Sequence, residues 1–398
     1  MEIKIILYIY YIMITLLYSG YYDMNNSKNI FEVDPNFFYL TSCDLPNILV
    51  LKKHTKHYIY VEIPSIKWYD NESFLEILNY CFNGELIGID KLMNLIKSTK
   101  VQTLPNIKTH PQWSKLKKLN LDTDTINQKL LKQRTIKHID EIQSIEKACK
   151  YTSDAIKYIL SESYPKMSQI ELIGLFKHSL SKKGIQELSF NPITSHGKYN
   201  QYLHYIAKDR PIVKGSMVLL DLGCKYRNYC SDISRCFPIS GKFTVKQKEI
   251  YTVVLNSLKY ALRQIKPNSF WNDITRNVKL KLYDECCKIR LVDQTKSEDD
   301  KLNLMRLLMP HDLGHHVGLD NHDCGPIETI KENMVIAVEP GIYFQNNVTS
   351  PLINMKSWNQ YKSIGGIRLE DTIVITKTGY KNLSKVSKEI SSIEKLMK

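Results

Sequence analysis

Two aspartates set in strand-like sequence are the first residues that demand a chemical explanation. In MVLLDLGCKYRNYCSDISRCFPI, from Met217 to Ile239, two apolar runs flank a polar turn near Lys225–Asn228. With the turn centred between Tyr226 and Arg227, Asp221 and Asp232 stand directly opposite one another across an antiparallel pair, Cβ atoms about 5 Å apart. Carboxylates opposed in a half-buried sheet repel and destabilise it unless a cation lies between them. A metal site is one reading of this segment; an aspartate at the solvated edge is the other.

The segment MPHDLGHHVGLDNHDCG, from Met309 to Gly325, holds His311, His315, His316 and His322. Interruption by Gly314 and Gly318 suggests imidazoles converging where the backbone comes close to something. The spacing is not H-E-x-x-H, which excludes the thermolysin-like and metzincin arrangements. VIAVEPGIYF carries Glu339 and GGIRLEDTIVIT carries Arg368 and Glu370, each glutamate inside an apolar strand with no lysine nearby. Buried carboxylates need a partner. Strand alternation sets Arg368 and Glu370 on one face and turns Asp371 away from them. Asp221, Asp232, Glu339 and Glu370 with one of these histidines form a hard-to-borderline ligand set suited to two ions of Mn, Co, Zn or Fe and poor for copper or iron–sulfur. Such a pair of ions bridges a water, lowers its pKa and clamps a tetrahedral oxyanion.

The elements that must position these residues are legible as patterns. Strand-like segments lie at Met217–Gly223, Tyr229–Pro238, Met334–Val338 and Ile367–Ile375, and helical patterns at Gln169–Lys183, Val245–Ile265 and Asp273–Ile289. Ile136, Ile139, Ile142, Ile145, Cys149, Ala155 and Ile156 recur at three- and four-residue steps as one apolar helix face. The carboxy-terminal two thirds is therefore α/β or α+β, antiparallel where strands are close in sequence. The first 125 residues alternate strand-like runs (Phe37–Leu40, Ile48–Leu51, Tyr58–Val61) with helices at Glu72–Cys81 and Asp90–Ser98, a small α/β domain. The polar, charge-dense stretch Lys108–Asp124 is expected to be a linker.

Composition sets the outer bounds. At 398 residues, 43% hydrophobic and 24% charged, the chain is ordinary globular material and too long for one core of about 250–300 residues, so two domains are expected. The net charge of +14 comes from lysines spread along the chain, with no arginine-rich run or basic-region helix, which argues for a solvated basic surface over nucleic-acid binding. Nine cysteines, with no C-x-x-C pair, indicate reduced thiols in a cytoplasmic setting. The apolar run Ile5–Tyr18 is shorter than the roughly 20 residues a membrane span needs and reads as a buried first strand in preference to a signal peptide.

Taken in order and spacing, these segments resemble the pita-bread metallopeptidase family M24: methionine aminopeptidase, aminopeptidase P and prolidase. The resemblance runs from about Phe31 to Val386 and is strongest to the prolidase and aminopeptidase P branch, with FEVDPNFFYLTSCDLP (Phe31–Pro46) resembling the amino-terminal domain and KQRTIKHID (Lys132–Asp140) the helix that opens the catalytic domain. It implies an α/β amino-terminal domain at residues 1–125 followed by an α+β pita-bread catalytic domain at 126–398. It also implies two divalent ions, manganese first and cobalt, zinc or iron next. Asp221 and Asp232 would hold one ion, and Asp232, His315, Glu339 and Glu370 the other. His204 matches the histidine near the substrate carbonyl, His311 and His322 the outer histidines, and Arg368 the arginine beside the last glutamate. His316 matches no family role. The implied reaction is attack by a metal-bridging hydroxide on the bond before proline, with Glu339 as proton shuttle, in dipeptides or short peptides with proline second. The implied assembly is a homodimer without membrane span or specific nucleic acid.

Two departures from the pattern bear on substrate length. Only Asp323–Asn333, with no arginine, separates the last outer histidine from the VEPG strand, where prolidases and aminopeptidases P have a longer insertion containing one. The segment before LHY reads TSHGKYNQ, Thr194–Gln201, in place of a glycine-serine-glycine run. The short loop tilts the reading toward aminopeptidase action on longer peptides. A non-catalytic relative that binds peptide or nucleic acid, and methionine aminopeptidase, are the alternatives; the complete ligand set opposes the first and the extra amino-terminal domain the second.

Overall fold

A computed structural model describes residues 14–20, 32–53, 56–61 and 71–397. The chain forms two compact units, Met1–Gln133 and Arg134–Lys398. In the first, six strands are ordered Glu85–Leu86, Lys56–Val61, Ile48–Lys53, Thr15–Tyr18, Val101–Thr103, Leu121–Asp122. Alternation divides their side chains cleanly. Leu17, Ile48, Val50 and Ile59 enter one apolar cluster with Phe37 and Leu78, while Leu16, Tyr18, Leu49 and Leu51 enter another with Leu92 and Ile96. The end of the Ile5–Tyr18 run is thus a buried strand, and residues 5–13 lie outside the described ones.

Two expectations fail here. Phe37–Leu40 is not a strand but part of the helix Pro35–Thr41. Pro35 occupies its first turn, and Asp34 Oδ1 accepts the Phe37 N–H at 2.9 Å, a helix start that outweighs the β propensity of the aromatic run. Lys108–Asp124 is not a linker. It forms the helix Trp113–Leu116 and the edge strand Leu121–Asp122, because Trp113, Leu116 and Leu119 recur at three-residue steps among the lysines and pack into the second cluster.

The second unit wraps helices around four antiparallel groupings of strands over one continuous core, the smallest being the hairpin Lys225–Tyr226 with Tyr229–Cys230. One sheet is ordered Ile233–Pro238, Met217–Leu222, Ile193–His196; another is ordered Gly314–His316, Val335–Val338, Asp371–Ile375, Tyr380–Asn382; and Gly341–Tyr343 pairs with Gly366–Arg368. The helix Ile139–Glu162 buries Ile142, Ile145, Cys149, Ala155 and Ile156. Ile139 departs from the expected face: as the first helical residue, just after the His138 cap, it is 66% exposed. The helix Glu298–Leu308 was not foreseen, its apolar residues being diluted by charge. All nine cysteines are free, and among the described residues no helix is long and apolar enough to cross a membrane.

Two buried charge clusters brace this unit. Arg235 donates to the carbonyls of Ser234, Glu370 and Val386 and, at 2.7 Å, to Asp371 Oδ1. Asp371 also receives Lys388, so it faces away from Glu370, as alternation requires. The second cluster pins Asp323 between Arg134 and Lys137, the latter at 2.9 Å, all three essentially buried. Asp323 N–H also donates to the carbonyl of His316 at 2.9 Å, closing the loop that carries His322. Gly318 has no room for a Cβ above the Asp323 carboxylate, which accounts for one of the two interrupting glycines.

Replacing one partner of a buried pair strands the other's charge, at a cost of about 3–5 kcal/mol. Arg235→Met should therefore lower unfolding free energy by about 3 kcal/mol, the lower end because Lys388 still faces Asp371; a loss below 1 kcal/mol in urea unfolding would show the clamp to be dispensable. Burial alone would raise the Asp323 carboxyl, but Lys137 and Arg134 outweigh it and hold it at about 2, below the ordinary 3.8. Its stabilisation is therefore complete at neutral pH and fades as pH falls from about 4 toward 2. Asp323→Asn should destabilise strongly at pH 7, and the gap from wild type should narrow across that acid window; a gap independent of pH would contradict the pairing.

Candidate functional site

The loops and strand interruptions of the second unit bring most of the sequence-nominated residues together. Asp221 lies in the strand Met217–Leu222, Asp232 just before Ile233–Pro238, His315 in the middle of Gly314–His316, Glu339 just after Val335–Val338, and Glu370 in the break between Gly366–Arg368 and Asp371–Ile375. Three of these carboxylates thus sit where a strand pauses.

The aspartates are not directly opposed. Asp221 pairs with Ser234, and the hairpin turns between Arg227 and Asn228, both in left-handed backbone at φ 51° and 66°. That two-residue turn matches the twist of the strands, and it moves the turn centre by one residue and each facing partner by two. Asp232 therefore lies diagonally across from Asp221 on the same face, two residues before the Ser234 that opposes it.

Asp232, His315 and Glu370 offer ligand atoms within 4.8 Å of one another. His315 Nδ1 faces the carbonyl of His316 at 3.0 Å. A carbonyl only accepts, so Nδ1 carries the proton and the Nε2 lone pair is turned inward. There it faces Asp232 Oδ2 at 3.5 Å and Glu339 Oε1 at 3.7 Å. An imidazole nitrogen turned toward carboxylate oxygens is the arrangement that a shared cation would complete. Asp221 Oδ1 and Asp232 Oδ1 are likewise buried with no hydrogen-bond partner. The donor set, all oxygen but for one imidazole nitrogen, fits a hard or borderline divalent ion.

Repulsion is written into the acidities. Burial, then Asp221 and Glu339, push the Asp232 carboxyl well up; burial, then Asp232 and Asp221, do the same to Glu370. Burial and then Glu370 raise Glu339 to about 8.

Arg368 organises the opposite side. Its Nη2 donates to Asp221 Oδ2 at 2.8 Å, its Nε to Ser234 Oγ at 3.0 Å and its Nη1 to Tyr343 OH at 3.0 Å. Ser234 Oγ in turn donates to Glu370 Oε2 at 3.0 Å. Tyr343 OH lies 2.9 Å from His311 Nε2, whose ring faces the Asp312 carbonyl through Nδ1 at 2.8 Å. By the same reasoning as for His315, Nδ1 donates and Nε2 accepts from the tyrosine. Burial, then Arg368, push the His311 pKa down to about 3, so the imidazole is neutral.

The remaining histidines divide. His322 stands at the exposed rim with its ring centroid 4.1 Å from that of His315, and burial, then His315 and His204, lower its pKa. His204 is exposed on the loop after Gly197–Gln201 and makes itself felt at His322. His316 is a buried packing residue, 1% exposed, on the reverse face of its strand. A cavity of about 350 Å³ adjoins His315 and His322, walled by Trp271, Asn272 and Thr275 at the start of the helix Trp271–Lys288 and by Pro326 and Ile327. Ser234, Tyr343, Asn321 and the Arg134–Lys137–Asp323 cluster were missed from sequence. Alternation with Asp232 could have nominated Ser234; the others join the site through contacts more than 20 residues apart.

Residues 143–377, more than half of the chain, match the model of metallopeptidase family M24. An uncharacterized peptidase of Saccharomyces cerevisiae is 32% identical over 292 residues, 66% of this chain and 55% of that protein, so the match spans about half of that relative's length. A probable Xaa-Pro aminopeptidase of Ajellomyces dermatitidis is 29% identical over 418 aligned residues, 94% of this chain and 89% of that protein. Among solved structures, a variant of Escherichia coli aminopeptidase P in complex with substrate is similar at 26% identity and a TM-score of 0.82, covering 97% of this chain and 94% of that one. Zinc-substituted E. coli aminopeptidase P in complex with product is similar at 25% identity, with the same TM-score and coverage. The carboxylate and histidine cluster thus sits in a pita-bread unit that follows an α/β amino-terminal unit in sequence, and the chain belongs to metallopeptidase family M24, in its prolidase and aminopeptidase P branch.

Proposed function

We propose that this protein hydrolyses the peptide bond preceding proline, releasing the amino-terminal residue from peptides with proline second. The observation that carries the reading is the inward His315 Nε2 lone pair facing Asp232 and Glu339, beside Glu370. The curated relative described as an Xaa-Pro aminopeptidase supports the substrate class. In this reading Asp221 and Asp232 hold one divalent ion, and Asp232, His315, Glu339 and Glu370 hold a second, with manganese the first choice and cobalt, zinc or iron able to serve. Bound there, the ions would acidify a water and polarise the scissile carbonyl.

The chain's own groups do the rest. Glu339, whose two oxygens face His315 and His311, can carry a proton on Oε2 to the leaving imino nitrogen. His322, exposed and with a lowered pKa, is neutral and presents a ring N–H to the developing oxyanion, with His204 beside it. His311 is fixed by Tyr343 and Asp312 as a wall of the site. Arg368 keeps Asp221 oriented and, through Ser234, steadies Glu370. A bond to proline is a tertiary amide without N–H, so the site need satisfy no donor there.

Metal-free protein reconstituted with Mn²⁺, Co²⁺ or Zn²⁺ should cleave Ala-Pro-Xaa peptides in preference to Gly-Pro and Ala-Pro. Preferred dipeptide cleavage would make it a prolidase, and stoichiometric metal uptake with no cleavage would point to a binding module. Asp232→Ala and Glu370→Ala should abolish metal uptake and turnover together. His322→Ala should keep its metal while kcat falls about 100-fold; loss of metal from that variant would reassign His322 as a ligand.

A further inference from the structure

Asn321 contacts the cluster without belonging to it. Its Nδ2 donates to Asp232 Oδ2 at 2.9 Å, the same oxygen that faces His315 Nε2. We propose that Asn321 is a positioning residue for the metal site, holding the Asp232 carboxylate in the one rotation that presents each of its oxygens to a different ion; this rests on the dinuclear reading above.

Asp221 and Glu339 repel the Asp232 carboxylate and favour turning it out of the cluster. A carboxylate oxygen has two acceptor positions, and the amide occupies one of those on Oδ2. That contact fixes rotation about Cβ–Cγ. Oδ1, buried and without a hydrogen-bond partner, is left available, as is the second position on Oδ2. The backbone of Asp232 is held separately, its carbonyl accepting Thr372 Oγ1–H at 2.6 Å, so the amide acts on the side chain alone.

The residue type has a physical reason. A lysine or arginine in this place would hold the carboxylate equally well but would neutralise the charge a divalent ion requires. A carboxamide donates an N–H and carries no charge, so it orients the ligand without competing for it. The amide is also delivered by an unyielding segment. Gly318 N–H donates to the Asp320 carbonyl at 3.0 Å, and Asp323, two residues beyond Asn321, is locked to Arg134, Lys137 and the His316 carbonyl. The charge cluster that braces the fold therefore also sets the position of Asn321, and through it the ligand geometry.

Full-length protein stripped by a chelator and titrated with Mn²⁺ by calorimetry tests this without recourse to activity. Asn321→Leu, close in volume but without a donor, should bind Mn²⁺ about 10- to 100-fold more weakly than wild type at unchanged stoichiometry. The metal-free melting temperature should stay within a few degrees, and kcat should recover at saturating Mn²⁺. Asn321→Ser, which retains a shorter donor, should fall between the two and carries the comparison if the leucine variant does not fold. Affinity within twofold of wild type in both variants overturns the proposal, as does a kcat deficit that saturating Mn²⁺ leaves in place. Wild-type protein that takes up no Mn²⁺ overturns the dinuclear reading itself, and this proposal with it.

Discussion

Mutual repulsion among Asp221, Asp232, Glu339 and Glu370 is the constraint on which the rest of the catalytic unit depends. Two like charges about 4 Å apart in surroundings of effective dielectric about 20 repel by about 4 kcal/mol. Whole domains are stable by only about 5–15 kcal/mol. Two or three such contacts left uncompensated would exhaust that margin. The raised pKa values of Asp232, Glu339 and Glu370 are the protein's response when protons alone are available, and a bound cation is the response the geometry prepares.

Such a cluster survives only if the surrounding fold refuses to relax. Three buried arrangements supply that refusal, each joining segments distant in sequence. Arg368 ties Asp221 to Ser234 and Tyr343. Arg235 ties the hairpin strand to the carbonyl of Glu370 and to Asp371. Arg134 and Lys137 tie the entry to the first long helix onto the histidine loop. These cations stay at the periphery of the ligand cluster, and of them Arg368 alone touches the carboxylate of a proposed ligand, Asp221, while Arg235 reaches only the backbone carbonyl of Glu370. Neutral donors, Ser234 and Asn321, hold the carboxylates of Glu370 and Asp232. The division suits a site that must stay negative enough to retain divalent ions.

Much of this was legible beforehand because burial is a strong filter on polar residues. A glutamate inside an apolar strand without a nearby lysine announces a missing partner, and Glu339 and Glu370 were found on that ground. Alternation separated Glu370 from Asp371 correctly, since the pleat has a period of two whatever the surroundings. Local patterns misled where a weaker signal was overruled. Phe37–Leu40 has strand composition, yet Asp34 and Pro35 start a helix there, and Trp113, Leu116 and Leu119 are core residues concealed in a lysine-rich run. The hairpin turn lies one residue later than composition suggests, and facing partners differ by two, because the left-handed backbone of Arg227 and Asn228 decides it.

The sequence by itself determined which residues could do chemistry: their types, their order along the chain and the faces of the strands that carry them. Those follow from local rules, because strand alternation and the cost of burying charge do not depend on the rest of the molecule. Tertiary structure alone decided what surrounds each of them. The inward His315 lone pair, the Asn321 contact with Asp232, the arginine and lysine on Asp323 and the cavity beside Trp271 all join residues from distant parts of the chain. Hydrogen bonds reach only about 3 Å, so such partnerships exist only once folding has brought those segments together.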